Sequence, residues 1–240
     1  MTNLSGKTAI VTGGTRGIGR AVCEALLERG GSVMLCSRNE EDVARATAEL
    51  EERFRGRVFG QRCNVSSPED VETLFERSRD VLGRLDILIN NAGKSSRSYI
   101  ENMSDDEWRS TIATNLSGVF YCCRAAVPWM KSSGGGYIIN IGSLAGTNGF
   151  AGGGAYCATK FGLIGFSESL MHEVRHDHIR VSCVMPGSVN TSFGRGGEEE
   201  RSRTWKLWPE DVAEVVVGLI EMDPRALASR VELRPSEPRK

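Results

Sequence analysis

Short apolar runs alternate with helical segments along almost the whole chain, and this alternation limits the possible folds more than any other feature. The runs have continuous apolar centres, which is typical of strands buried on both faces. The sequence therefore predicts a Rossmann-type α/β fold: a doubly wound parallel sheet of about seven strands with helices on both faces. The predicted strands are residues 7–12, 32–36, 57–62, 86–90, 137–141, 179–185 and 230–233. Predicted helices cover residues 18–29, 40–54, 106–131, 155–175 and 209–222, and another helix begins at Ser67-Pro68.

Size and charge narrow the class of protein further. The 240 residues contain no proline- or serine-rich linker and no internal repeat, so we expect one catalytic domain over residues 1–240. A formal net charge of −1 favours neither nucleic acid nor an acidic membrane surface as a partner. The first residues lack a signal peptide, and no apolar run has the length of a membrane span. We therefore expect a cytoplasmic protein with no nucleic-acid or membrane partner.

The cysteines are odd in number, irregularly spaced and mostly within apolar runs. They form no Cys-x-x-Cys pair, and we predict no metal site. We interpret them as small buried side chains of a reduced protein. They are Cys23, Cys36, Cys63, Cys122, Cys123, Cys157 and Cys183.

A glycine-rich segment, Thr12-Gly13-Gly14-Thr15-Arg16-Gly17-Ile18-Gly19, lies between the first predicted strand and the first predicted helix. Glycines at such a turn let a pyrophosphate approach the backbone, and the helix N-terminus offers N–H donors to it. The spacing is Gly-x-x-x-Gly-x-Gly, and its place between a strand and a helix predicts dinucleotide binding. The predicted contacts are Gly13, Thr15, Arg16, Gly17, Ile18 and Gly19.

The end of the second strand indicates which dinucleotide binds. NAD sites usually have an acidic residue there to hold the ribose hydroxyls, whereas this chain has Cys36-Ser37-Arg38 and no acid before Glu40. The Arg38 guanidinium suits a 2′-phosphate, and Arg16 can supply a second positive contact. NADP(H) is therefore favoured over NAD(H).

Tyr156 and Lys160 are spaced so that a helix would place them on one face. An adjacent ammonium favours the phenolate, so Lys160 should draw the pKa of Tyr156 towards neutrality. A tyrosine tuned in this way is a general acid or base for a carbonyl/alcohol pair. The same spacing also occurs by chance on surface helices, so the surrounding motifs must decide.

Four separated motifs occur in an order that one enzyme family shares. They are the glycine-rich segment, then Asn90-Asn91-Ala92-Gly93, then Ser143 with Tyr156 and Lys160, then Pro186-Gly187-Ser188-Val189-Asn190-Thr191. From about residue 5 to 233 the chain resembles the short-chain dehydrogenase/reductase family. The joint occurrence of the four motifs is far more specific than any one of them.

The resemblance implies roles for individual residues. Tyr156 would exchange a proton with the substrate oxygen, Lys160 would lower the tyrosine pKa and bind the nicotinamide ribose, and Ser143 would orient the carbonyl. Asn115 would support a water-linked proton relay to Lys160, although it can also be a polar residue that kinks the helix predicted over residues 106–131. The resemblance further implies cofactor contacts from Asn64, Val65, Asn91, Ala92, Gly93, Pro186, Gly187, Val189 and Thr191.

The chain departs from the family pattern in three places. Asn64 replaces an aspartate that usually binds the adenine amino group, although an amide oxygen can still accept that bond. The C-terminal segment from Val231 lacks the Val-Asp-Gly-Gly-like ending of typical 3-oxoacyl-carrier-protein reductases, which weakens the case for that activity and for a tetramer. Lys94 and Arg97 follow the Asn-Asn-Ala-Gly motif, and they either attract an anionic substrate or belong to a solvated loop.

Two irregular regions fall where an α/β sheet places its ligands, namely residues 142–154 and 187–208. They are either plain surface loops or a substrate floor and a lid, and their position favours the second interpretation. The substrate is set mainly by residues 94–100, 144–154 and 187–208, and the sequence does not reveal its identity.

The sequence thus predicts an NADPH-dependent oxidoreductase that reduces a ketone or aldehyde, with a 3-oxoacyl thioester or another small carbonyl compound as candidate substrates. One alternative is an alcohol or sugar-alcohol dehydrogenase that works oxidatively, because the same residues serve both directions. A non-catalytic dinucleotide sensor is disfavoured, because Asn115, Ser143, Tyr156 and Lys160 are all present. Pairing of the two long helices, which is common in the family, implies a homodimer or homotetramer.

Overall fold

The computed structural model describes residues 4–193 and 205–238, and within them strands alternate with helices in the predicted order. The strands are β1 Thr8–Thr12, β2 Ser32–Ser37, β3 Val58–Arg62, β4 Ile87–Asn90, β5 Gly136–Ile141, β6 Ile179–Pro186 and β7 Arg230–Leu233. The helices are α1 Gly17–Glu28, α2 Glu40–Arg53, α3 Pro68–Leu82, α4 Asp105–Ile112, α5 Gly118–Ser132, α6 Gly154–Val174 and α7 Pro209–Glu221. Each predicted strand is present to within one residue at either end. Residues 194–204 of the predicted lid lie outside the described residues.

All seven strands form one parallel sheet in the order β3-β2-β1-β4-β5-β6-β7. The chain first adds strands outward from β1 to β3, then returns to pair β4 with β1 and continues in the opposite direction. Ligands bind where the strand order reverses, outside the carboxyl ends of the strands. The predicted fold class is confirmed, and the reversal between β1 and β4 locates the expected cleft.

Hydrophobic side chains pack on both faces of the sheet, because successive residues of a strand point to opposite sides. Val11 of β1 packs in a cluster with residues of α1, α2 and α7, while its neighbour Ile10 packs with residues of α3, α5 and α6. All seven cysteines are buried and unpaired, as the sequence predicts. None of the helices in the described part of the chain has the length and apolar character needed to cross a bilayer.

The helix predicted over residues 106–131 is present from Asp105 to Ser132, but a π-helical turn interrupts its α-helical hydrogen bonding. A π-helical turn at Ala113–Ser117 separates α4 from α5. The Gly118 N–H donates to the Ala113 carbonyl, five residues back rather than four, so the backbone widens at this point. The turn contains Asn115, whose buried side chain bonds to groups outside its own helix. Single π-turns within α-helices are frequent at functional sites.

A row of buried polar side chains, hydrogen-bonded to one another, joins β4, β5 and α6. Asn90 Nδ2 donates to Asn140 Oδ1 (2.8 Å), and Asn140 Nδ2 donates to Ser167 Oγ (2.8 Å). Ser167 Oγ donates in turn to the Leu163 carbonyl (2.7 Å). Since buried polar groups are costly when left without partners, Asn140 holds both of its neighbours in place.

Replacement of Asn140 by alanine should lower the free energy of unfolding by about 3 kcal/mol, because it removes two buried hydrogen bonds and leaves a small void. Urea denaturation followed by circular dichroism measures the change. The matched control is Asn102→Ala at an exposed position, for which we expect a change within about 0.5 kcal/mol. Equal stability of the two variants would show that this row of polar side chains contributes little.

Candidate active site

The turn between β1 and α1 is built so that only glycine fits at key positions. Gly13 and Gly17 have φ values of 66° and 54°, in the left-handed region that favours glycine. A Cβ on Gly19 would lie 2.2 Å from the Gly13 carbonyl oxygen and 2.5 Å from Asn91 Nδ2. The first turn of α1 therefore packs directly on the loop after β4. A glycine at this position is what allows such close packing in dinucleotide-binding turns.

Helix α1 also begins differently from its neighbours. Asn39, Ser67 and Ser104 cap α2, α3 and α4 with their side chains, and acidic residues follow each cap. Arg16 precedes α1 without forming a side-chain cap, and the first turn of α1 has no acid. Its N-terminal N–H groups and positive dipole end thus face the cleft, an arrangement suited to an anion such as a pyrophosphate.

Thr12 connects the two central loops of the cleft. Its Oγ accepts hydrogen bonds from the N–H groups of Asn91 and Ala92 (both 3.0 Å) and donates to the Ile89 carbonyl (3.3 Å). Asn91 Nδ2 donates back to the carbonyls of Thr12 (2.9 Å) and Gly13 (3.1 Å). The carboxyl ends of β1 and β4 are therefore fixed to each other.

A cavity of about 430 Å³ lies at this edge of the sheet and contains most of the predicted site residues. Three of the four predicted catalytic side chains line it, namely Ser143, Tyr156 and Lys160. The predicted cofactor residues that line it are Gly13, Thr15, Arg16, Gly17, Ile18, Arg38, Val65, Asn91, Ala92, Gly93, Pro186, Gly187, Val189 and Thr191. Gly19, Asn64 and Asn115 are not among the lining residues.

The Asn64 side chain accepts hydrogen bonds within its own loop and does not line the cavity. Its Oδ1 accepts hydrogen bonds from the N–H (3.3 Å) and the Oγ (2.9 Å) of Ser66, and its own N–H donates to Asp70 (2.8 Å). These bonds fix the start of α3, while the neighbouring Cys63 and Val65 line the cavity instead. The asparagine oxygen is thus already an acceptor within its own loop.

Ser143 and α6 bring the reactive groups together. Ser143 follows β5, and its Oγ accepts the Ala145 N–H (3.1 Å). Tyr156 and Lys160 lie one turn apart on α6, and a hydrogen bond joins Tyr156 to Ser143. The Lys160 Nζ is buried, donates to the Ile141 carbonyl (2.8 Å) and lies 5.7 Å from the centre of the Tyr156 ring. Its ammonium is therefore fixed by the end of β5.

The protonation of this group differs from the expectation. Burial raises the pKa of Tyr156, and the hydrogen bond with Ser143 opposes this rise. The expected lowering of the pKa of Tyr156 by Lys160 is wrong for this arrangement, because Nζ bonds to the Ile141 carbonyl. Burial also lowers the pKa of Lys160 to about 8. At neutral pH the phenol is therefore protonated and able to give a proton.

Comparison with known proteins identifies the family. The profile of the short chain dehydrogenase family matches residues 7–202 of this chain. The chain belongs to that family. It is therefore an oxidoreductase that acts on the CH–OH/C=O pair, as the sequence predicts.

Several curated reductases resemble the chain over most of their length. The 3-oxoacyl-(acyl-carrier-protein) reductase FabG of Vibrio harveyi is 37% identical over 230 residues, which cover 95% of this chain and 89% of the relative. The enzyme of the same name from Escherichia coli (strain K12) is 39% identical over 199 residues, covering 83% and 80%.

Solved structures of the short-chain dehydrogenase fold match equally well. A metagenomic short-chain oxidoreductase in complex with NADP has a TM-score of 0.84 at 34% identity, covering 98% of this chain and 99% of the other. An alcohol dehydrogenase from the archaeon Thermococcus sibiricus, complexed with 5-hydroxy-NADP, has a TM-score of 0.90 at 27% identity and covers 98% of both chains.

The dinucleotide that the short-chain dehydrogenase family implies fits the residues of this site. Gly13, Gly17 and Gly19 add no side chain to the turn, and α1 begins without a side-chain cap on its first N–H groups, which suits a pyrophosphate. The Gly14 N–H donates to the Cys36 carbonyl (3.1 Å), which holds the glycine turn against the end of β2, where Arg38 follows. A Cβ on Gly17 would lie 3.3 Å from Thr191 Cγ2, so the last predicted motif meets the glycine turn.

Asn115 forms hydrogen bonds with two segments that border the cavity. Its Oδ1 accepts the Lys94 N–H (2.8 Å), and its Nδ2 donates to the Lys94 carbonyl (2.9 Å) and to Thr159 Oγ1 (3.2 Å). The π-turn thereby fixes the loop after β4 to α6, next to Lys160. Within the described residues Asn115 has no direct bond to Lys160, and its role in a proton relay stays a prediction.

The cavity also contains residues that the motifs did not identify. Phe193 packs against Tyr156, with 6.1 Å between ring centres, and Phe150 lies on the same lining. Both fall within the two irregular regions, so only their region was predictable. Further lining residues are Ser37, Cys63, Ser95, Ser96, Arg97, Thr114, Ile141, Gly142, Ser188, Ser192 and Lys206.

Proposed function

We propose that this chain reduces a ketone or aldehyde to an alcohol with NADPH. The observation that carries the proposal is the single cavity that joins Arg16 and Arg38 to Ser143, Tyr156 and Lys160. It combines a place for a phosphorylated dinucleotide with a protonated phenol and its hydrogen-bonded serine. When bound, the nicotinamide supplies the hydride that this reaction needs.

The residues of the chain supply orientation and the proton. The hydroxyls of Ser143 and Tyr156 lie near each other on the cavity lining, so both can donate to one carbonyl oxygen. The phenol proton of Tyr156 then passes to that oxygen as it gains negative charge. The buried Lys160 ammonium, held by the Ile141 carbonyl, lines the same cavity and is available to bind the nicotinamide ribose.

We propose a preference for NADP(H) because two arginines, Arg16 and Arg38, line the cavity. Arg16 and Arg38 are exposed at its rim, and no carboxylate within residues 4–193 and 205–238 forms an ion pair with either. A guanidinium without an internal partner is available for a 2′-phosphate. The NADP complexes of two structural relatives support the same cofactor.

Replacement of Arg38 by glutamine should lower kcat/KM for NADPH by about 30-fold, because a charged hydrogen bond contributes about 2 kcal/mol. The value for NADH should change little, so the ratio of the two constants falls. Steady-state assays with both cofactors measure it. Arg45→Gln, at an exposed position of α2, is the matched control. An unchanged ratio in Arg38→Gln would remove this residue from cofactor selection.

A 3-oxoacyl thioester is the proposed substrate class, since the relatives from Vibrio harveyi and Escherichia coli have that activity in their names. The test is consumption of NADPH with an acetoacetyl thioester, simple ketones, quinones and ketoses. The oxidative alternative draws support from the alcohol dehydrogenase among the structural relatives. Assays with NADP⁺ and the corresponding alcohols decide between the two directions.

We also propose one catalytic domain, a homodimer or homotetramer, and a cytoplasmic location. Exposed aromatic side chains on three helices support self-association, namely Trp108 on α4, Phe120 on α5 and Phe161 on α6. The unpaired cysteines support a reducing compartment. A small carbonyl or alcohol compound is the proposed partner in the cavity.

A further inference from the structure

The cavity has an excess of positive charge. Its described lining residues include Arg16, Arg38, Arg97, Lys160 and Lys206, but no aspartate or glutamate. A cleft lined by one sign of charge concentrates ligands of the opposite sign. Arg16 and Arg38 are assigned above to the 2′-phosphate, and Lys160 belongs to the reactive group. Arg97 and Lys206 have no such assignment.

Arg97 lies on the side of the cavity where Ser143 and Tyr156 are found. The Ser98 N–H donates to the Gly152 carbonyl (2.9 Å), which joins the loop after β4 to the segment between those two residues. A Cβ on Gly152 would lie 3.6 Å from Arg97 Cγ, so the arginine stem packs against this segment. Phe150 from the same segment lines the cavity as well.

Lys206 reaches the cavity from a different loop. The Leu207 N–H donates to the Ser188 carbonyl (3.0 Å), and the Asn190 N–H donates to the Leu207 carbonyl (2.8 Å). These bonds hold Lys206 beside the segment that follows β6 and carries Val189. Two cations from loops far apart in sequence therefore line one cavity.

Neither cation is neutralised within the described part of the chain. Carboxylates pair with Arg62, Arg84 and Arg230, but none pairs there with Arg97 or Lys206. Lys94 differs from both. Its Nζ donates to Ser110 Oγ (2.7 Å), and it is not among the lining residues. Of the two cations that follow the Asn-Asn-Ala-Gly motif, only Arg97 faces the cavity.

We propose that Arg97 and Lys206 form an anion-binding subsite for the substrate. The preferred substrate is then a carbonyl compound that carries a carboxylate or a phosphate ester. This inference rests on the proposed reduction of a carbonyl group at Tyr156. A guanidinium and an ammonium that bind one anion through charged hydrogen bonds favour it over a neutral analogue that is otherwise identical.

Two matched substrate pairs test the subsite and distinguish the anion. Acetoacetate is compared with ethyl acetoacetate, and acetoacetyl-phosphopantetheine with acetoacetyl-pantetheine, using NADPH. We expect KM for the anionic member of at least one pair to be about 10-fold lower or more, a difference equivalent to about 1.4 kcal/mol. The pair that shows the preference identifies a carboxylate or a phosphate ester.

Variants then test whether Arg97 and Lys206 cause the preference for the anionic substrate. The double variant Arg97→Gln/Lys206→Gln should bring the KM ratio within the pair close to one. Arg97→Lys should retain most of the preference, because it keeps the charge. Arg109→Gln, at an exposed position on α4, is the control and should keep the wild-type ratio. Calorimetric titration of acetoacetate into the protein saturated with NADP⁺ gives a Kd that does not depend on turnover.

Equal KM values within both pairs for the wild-type protein would overturn the subsite. The subsite would also be overturned if the double variant raised KM equally for the neutral and anionic members of a pair, or if it weakened only NADPH binding. Reduction of ethyl acetoacetate by the wild-type protein keeps the proposed function in either case. Failure of NADPH to reduce any carbonyl compound would overturn that function instead, so the two failures are distinguishable.

Discussion

Replacement of Tyr156 by phenylalanine is expected to lower kcat by about 10³-fold, because the only change is loss of the hydroxyl that gives the proton. The ring, which packs 6.1 Å from that of Phe193, keeps its shape. The Kd for NADPH should therefore remain close to that of the wild-type protein. Steady-state kinetics and a fluorescence titration of NADPH measure the two quantities separately.

The matched control for this variant is Tyr121→Phe on α5. Tyr121 is outside the cavity, and its ring contacts Phe120 and Arg124. We expect kcat to be unchanged in the control, since a phenylalanine keeps both ring contacts. If Tyr156→Phe retained more than about a tenth of the wild-type kcat, the general-acid assignment would be wrong.

The second large effect is expected from Gly19→Ala. The added Cβ would lie 2.2 Å from the Gly13 carbonyl oxygen and 2.5 Å from Asn91 Nδ2, far inside normal contact distances. The glycine turn must move away from α1, and overpacking of this kind costs about 1–3 kcal/mol of stability. Because the glycine turn itself is displaced, we also expect the Kd for NADPH to rise by about 100-fold, equivalent to about 2.8 kcal/mol.

Gly218→Ala provides the contrasting control, because a Cβ at this exposed position of α7 would meet no other element in the described part of the chain. Alanine is the better helix former, so the free energy of unfolding should rise by about 0.5–1 kcal/mol. Thermal denaturation and NADPH titration of both variants make the comparison. Wild-type affinity in Gly19→Ala would show that the close approach of α1 is not needed for cofactor binding.

The strands and most helices were predictable because their signals are local. Apolar runs fix the strands, and a proline after a serine fixes the start of α3. The π-turn at Asn115 was not predictable, since the sequence left Asn115 as either a relay residue or a kink within one long helix. It depends on the bonds of Asn115 to Lys94 and Thr159, which exist only once the loop after β4 meets α6.

The composition of the site was predictable from motifs, but its electrostatics were not. A spacing of four residues placed Tyr156 and Lys160 on one helix, yet it said nothing about the Ile141 carbonyl that receives the ammonium. Lys94 and Arg97 have similar charges and neighbouring positions. Only tertiary contacts direct one to Ser110 and the other to the cavity.

The reversal of strand order between β1 and β4 has a consequence for how this enzyme can change. Arg16 and Arg38, which are proposed to select the cofactor, come from the first two strand–helix units. Ser143, Tyr156 and Lys160 follow more than a hundred residues later along the chain. Redesign of nucleotide preference and redesign of substrate preference therefore fall on separate stretches of the gene, so the two properties can be mutated, recombined and selected independently.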